Sequence, residues 1–133
     1  MVHTFYPNTN MPNPLPLEIE QDGTNVMLRL PGPTVSEREM EEAVVTCGEH
    51  MRFDQASNFA FDLAAIEYLD SACIGALVEL LREVEPMRGR VALVGCRANV
   101  QFLFKSTKLD AVFGLFDDMD EAMASFSKQD SRW

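Results

Sequence analysis

Three short apolar runs, 58–63, 90–95 and 112–116, are separated from one another by stretches of helical periodicity, and this alternation constrains the chain more than any other feature. Runs of that length bounded by turn residues read as buried strands. Strands that alternate with amphipathic helices form right-handed β-α-β crossovers around a largely parallel sheet. In the first intervening stretch, Ile74, Leu77, Val78, Leu81 and Val84 follow helical spacing, with Glu79, Arg82, Glu83 and Glu85 on the remaining faces. In the second, Asn99 to Ser106 turns Val100, Leu103 and Phe104 inward. After the last run, Asp118 followed by Glu121 makes a capping box that opens a C-terminal helix through Phe126.

Upstream, Leu17 to Gln21 and Asn25 to Leu30 alternate apolar and polar residues around Asp22-Gly23, which predicts a β-hairpin. Pro31, Gly32 and Pro33 end it. Ser36 with Glu39 three residues later is a capping box for a helix over about 37–50, whose apolar positions are Met40, Ala43, Val44 and Cys47. The expected fold is therefore α/β, with a mixed, mostly parallel sheet, an N-terminal hairpin and about four helices. Residues 1–16 carry Pro7, Pro12, Pro14 and Pro16 among Asn and Thr and are expected to form a flexible leader. Residues 17–126 form one domain, and 127–133 a polar tail apart from Trp133. A chain of 133 residues with 47% hydrophobic content suffices for one core and is too short for two.

The formal charge of −10, from 21 acidic against 11 basic side chains, opposes nucleic-acid binding, which needs clustered Lys and Arg. No run of about 18 apolar residues exists, so direct membrane insertion is not expected. The N-terminus lacks the basic and apolar regions of a signal peptide, and a cytoplasmic protein is expected. Cys47, Cys73 and Cys96 form no C-x-x-C pair, and His3 and His50 have no metal-ligand spacing, so reduced thiols and no metal are expected. The chain contains neither G-x-x-x-x-G-K-[ST] nor G-x-G-x-x-G, and no cofactor is implied. No cysteine begins the C-x-x-x-x-x-R loop of a cysteine phosphatase. Arg88, Arg90, Arg97, Lys105 and Lys108 form either a solvated face or one turned toward an acidic partner, and Glu37, Glu39, Glu41 and Glu42 the exposed side of the first helix.

The functional candidate lies in Asp62 to Leu77, where a buried strand gives way to an apolar helix through Asp70-Ser71. Unpaired N–H groups and a partial positive charge at a helix start let an exposed hydroxyl cap the helix or carry a phosphate. Ser71 can do both. Asp70 can accept N–H bonds in the turn or stabilise the helix start electrostatically. Gly75 lies inside the helix, where it costs about 1 kcal/mol relative to Ala, so a close helix–strand contact or an exposed docking surface has to explain it. Cys73, in the first turn, is a small packing residue or a thiol of lowered pKa.

Asp62, Leu63, Leu69, Asp70, Ser71, Ile74, Gly75 and Leu77 together resemble the signature of the STAS domain family, in its anti-sigma factor antagonist branch. That signature is Asp-Leu at a strand end, then Asp-Ser-Ser/Thr-Gly-Leu-Gly opening a helix; Ala72 and Cys73 depart from it. The resemblance runs more loosely from about Leu17 to Phe126. It implies a non-enzymatic binding module that captures an anti-sigma factor serine kinase and frees a sigma factor, switched by phosphorylation of Ser71. It also implies a docking turn of Asp70, Ser71, Ala72, Cys73, Ile74 and Gly75, with ATP and magnesium supplied by the kinase. Two alternatives remain open: a constitutive scaffold subunit of a membrane transport or signalling assembly, and a Cys73 thiol sensor or enzyme.

Overall fold

The computed structural model describes residues 2–5 and 17–127. Six strands lie in one sheet in chain order: β1 (Val2–Phe5), β2 (Glu18–Asp22), β3 (Asn25–Arg29), β4 (Asn58–Asp62), β5 (Arg90–Val94) and β6 (Gly114–Phe116). The first two pairings are antiparallel and the other three parallel. Helices α1 (Glu37–Phe53), α2 (Ser71–Val84) and α3 (Ala98–Ser106) carry the chain between successive parallel strands, and α4 (Met119–Phe126) follows the last.

Each crossover advances by one strand in the same direction, so a common hand puts α1, α2 and α3 on one face of the sheet. The core follows from this. The side-chain alternation of β4 sends Phe59 and Phe61 into a large cluster with Met40, Leu77, Leu80, Val100 and Phe104. Ala60, between them, points the other way, into a small cluster with Ala92, Val94, Phe116 and Ala122 where α4 lies. Burying each large side chain of the first cluster contributes about 1.5–3 kcal/mol, so the three-helix face dominates stability.

The fold is the mixed, mostly parallel sheet with an N-terminal hairpin and four helices that the periodicity predicts, with differences in detail. Asp22 pairs with Asn25, so it belongs to the strand and the turn is Gly23-Thr24, with Gly23 at φ +62°. Helix α1 continues past residue 50 to Phe53. The last strand is shorter than 112–116, because Leu109–Ala111 form a 3-10 turn that leaves Val112 exposed ahead of β6. In the stretch read as a leader, Val2–Phe5 pair antiparallel with Glu18–Gln21 as an edge strand. Those four residues precede all of the leader's prolines, and an edge strand bonds on one side only. The rest of the leader, and residues 128–133 of the tail with Trp133, lie outside the described residues.

Candidate functional site at the start of the second crossover helix

The loops that follow β3, β4 and β5 emerge together at the carboxyl end of the sheet and hold one another. Leu63 donates its N–H to the Val94 carbonyl at 2.9 Å, and Glu67 donates to the Pro33 carbonyl at 2.8 Å. Thr34 and Tyr68 form an isolated parallel bridge. The Asn99 side-chain amide, on α3, donates to the Glu67 carbonyl. Gly32 is required here, since a Cβ at that position would overlap the Ala65 carbonyl oxygen. At the end of β4, Asp62 accepts from the Ala64 N–H at 3.0 Å and pairs with Arg29 Nε at 3.2 Å. Residues 63–70 are thus braced from both sides, and they deliver buried Leu69 to the core and Asp70 to the helix start.

Asp70 is the N-cap of α2. Its backbone is extended, at φ −90° and ψ 172°, and its Oδ1 accepts from the Cys73 N–H at 2.9 Å. That bond, with the Ala72 N–H adding to it, holds the carboxyl below its ordinary pKa, so Asp70 carries a stable negative charge. The cap expected of Ser71 therefore falls to its neighbour. Ser71 is the first residue of the helix, exposed, and its hydroxyl makes no hydrogen bond among the described residues. A Cβ placed on Gly75 meets nothing within 4 Å, which removes close helix–strand packing as the reason for this glycine and leaves an exposed surface.

Cys73 corrects the expected docking turn. Its side chain is fully buried, and its Sγ donates to the Val35 carbonyl at 3.4 Å. Burial first, then the Asp70 carboxylate, pushes the thiol pKa up to about 12, the opposite of what a nucleophile or redox sensor needs. Cys47 is also raised by burial, and Cys96 is pushed up to about 11 for the same reason. The departure from the signature at position 73 thus alters the core beneath the turn, and the surface is left to exposed Ser71 and Gly75 and half-buried Asp70, Ala72 and Ile74.

Two exposed aromatics, one in the loop before this turn and one on α3, have no counterpart among the expected site residues. Tyr68, 59% exposed, lies two residues before Asp70, and Phe102, 67% exposed, lies one turn beyond Asn99 on α3. Phe102 was detectable, because it falls outside the stripe made by Val100, Leu103 and Phe104. Two of the expected basic-face residues have internal roles: Arg90 donates to the Ser125 carbonyl at 3.0 Å and Arg97 to the Ala64 carbonyl at 3.4 Å. Among the described residues no cluster of three or more His, Cys, Asp or Glu could hold a metal ion, and no helix is long and apolar enough to cross a membrane.

Comparison with known proteins places this geometry. The family model described as "STAS domain" matches residues 16–122. A Thermotoga maritima protein named "Putative anti-sigma factor antagonist" is 29% identical over 76 residues, covering 53% of this chain and 67% of that protein. Among solved structures, the phosphorylated form of the Bacillus cell fate determinant SpoIIAA superposes with a TM-score of 0.66 at 17% identity, covering 81% of this chain and 96% of its own. An anti-sigma-factor antagonist (STAS) domain protein from Planctomyces limnophilus gives 0.73 at 19% identity, covering 84% and 98% respectively. At these identities the structural likeness speaks for the fold.

Proposed function

This chain belongs to the STAS domain family, and from that premise we propose that it is an anti-sigma factor antagonist whose grip on an anti-sigma serine kinase is switched by phosphorylation of Ser71. The observation that carries this reading is the division of labour at the start of α2. Asp70 takes the cap, so the exposed Ser71 hydroxyl has no structural task and can be modified without dismantling the helix. Asp70, Ala72, Ile74 and Gly75 supply the surrounding docking surface, and Gly75 lets a partner's backbone come close to α2.

A phosphate on Ser71 adds about −1.5 to −2 charges at pH 7, beside a carboxylate already held in its charged form. The helix N-terminus softens that charge locally, so the domain stays folded. An apolar or acidic partner surface seated on the turn is repelled. The kinase brings ATP and magnesium, and this chain contributes the acceptor hydroxyl and its presentation.

The experiment is a pull-down from lysate of the source organism with tagged wild type beside Ser71→Asp, read by mass spectrometry, with the melting temperature of both proteins measured in parallel. The switch expects wild type alone to retain a small histidine-kinase-like ATPase and both proteins to melt alike. Equal retention of one partner by both would replace it with the constitutive scaffold.

A further inference from the structure

From the groove between α1 and α2, we infer a second docking site, one that takes a basic amphipathic helix of a partner protein. The groove is lined by Glu41, Val44, Val45, Gly48 and Arg52 from α1 and by Ala76, Glu79 and Glu83 from α2. Its floor is apolar and low, because Gly48 and Ala76 lack the bulk to fill the space between the helices. Val45 is 57% exposed there. Val44 beside it is half-buried. Apolar side chains held in water on a concave surface between two helices fit the face of a third helix.

Charge selects the occupant. Glu41 stands on one wall and Glu79 and Glu83 on the other, against Arg52 as the groove's single cation among the described residues. A helix carrying Lys or Arg on the flanks of an apolar stripe satisfies both walls at once. A second copy of this chain is a poor occupant, since it too carries a formal charge of −10. The α2 wall continues the stripe that begins at Ala72, through Ala76 to Glu79 and Glu83, and Glu79 lies about 12 Å along the helix from Ser71 at 1.5 Å per residue. The groove therefore extends the surface proposed above away from the modified serine, and it stands whether or not Ser71 is phosphorylated.

The test uses the purified full chain and a synthetic helical peptide of Leu, Ala and Lys with Lys flanking the Leu stripe. Amide shifts are followed by NMR, and affinity by calorimetry. The expected result is shifts concentrated at Val44, Val45, Gly48, Ala76, Glu79 and Glu83, with at least a tenfold loss of affinity in E41Q/E79Q/E83Q. A control variant, E18Q/E20Q/D117N, removes as many charges elsewhere and is expected to bind as wild type. Equal weakening by both variants, equal binding of a scrambled peptide of the same composition, shifts outside the groove, or concentration-dependent self-association that occupies it would each overturn the inference. Because neither groove variant nor control alters Ser71, failure here leaves the phosphorylation reading standing, and Ser71→Asp is expected to bind this peptide as wild type does.

Discussion

Helices α1 and α2 begin with the same kind of residue in different jobs. At α1, Ser36 is the N-cap: its Oγ accepts from the Glu39 N–H at 3.1 Å, and Glu39 Oε1 accepts in return from the Ser36 N–H at 2.9 Å. At α2, Asp70 holds that position and Ser71 stands one residue further on, exposed and unengaged. One serine is consumed by the fold and the other is left available. An exposed serine at a helix start becomes a candidate for regulation when something else has already satisfied the N–H groups it could have capped.

The largest way to break this comparison acts on the loops that hold both starts in place. Gly32→Ala forces a methyl into the Ala65 carbonyl and is expected to destabilise the domain by about 1–3 kcal/mol in denaturant titration, the range of overpacking changes. Next, Ser36→Ala removes a working cap and is expected to cost about 1 kcal/mol, while Ser71→Ala stays within about 0.5 kcal/mol. A comparable loss in both would mean that the two serines share one role. Gly75→Ala runs the other way. With open space around the new methyl, it is expected to stabilise by up to about 1 kcal/mol by helix propensity while weakening partner binding, a split that melting and pull-down together would reveal.

The gentlest probe is pH. Asp70's carboxyl is lowered in the folded state, so its contribution is complete above the unfolded carboxylate value of about 3.9 and is lost as pH falls through the folded value. The cap of α1 is no clean reference, since the return bond of its box runs to the Glu39 carboxylate. The comparison is therefore made at α2 alone: in acid, amide exchange at Cys73 is expected to accelerate in wild type as Asp70 takes up its proton, and Asp70→Asn, which keeps a capping oxygen without a titrating group, is expected to abolish that acceleration.

Much of this was legible in the sequence because it rests on local chemistry. The capping box at Ser36 and Glu39 is a three-residue pattern whose partners are covalently close, and the structure contains both of its bonds. The stripe Leu77, Leu81 and Val84 is buried as its spacing requires. The hairpin turn slipped by one position, since Asp22-Gly23 and Gly23-Thr24 are both tolerable turns until the pairing of Asp22 with Asn25 chooses. Asp70-Ser71 held the same ambiguity, as either residue can cap a helix. The burial of Leu69, Cys73 and Leu77 at four-residue spacing sets the rotation of α2 and places Asp70 at the cap. The same rotation buries Cys73, choosing its packing reading over its place on the expected docking turn.

By itself, the sequence determined the order of elements from residue 17 onward, the parallel crossovers, the stretch that holds the candidate site and the acidic character of the surface, because these follow from periodicity, turn chemistry and charge along neighbouring residues; the edge strand Val2–Phe5 it did not show. Tertiary structure alone decided which of two adjacent residues caps α2, which side of the turn Cys73 occupies, that Gly75 faces open space, and that Glu41, Glu79 and Glu83 line one groove. Those facts depend on helix rotation and on distances between residues remote in the chain. The packing of the whole core sets both.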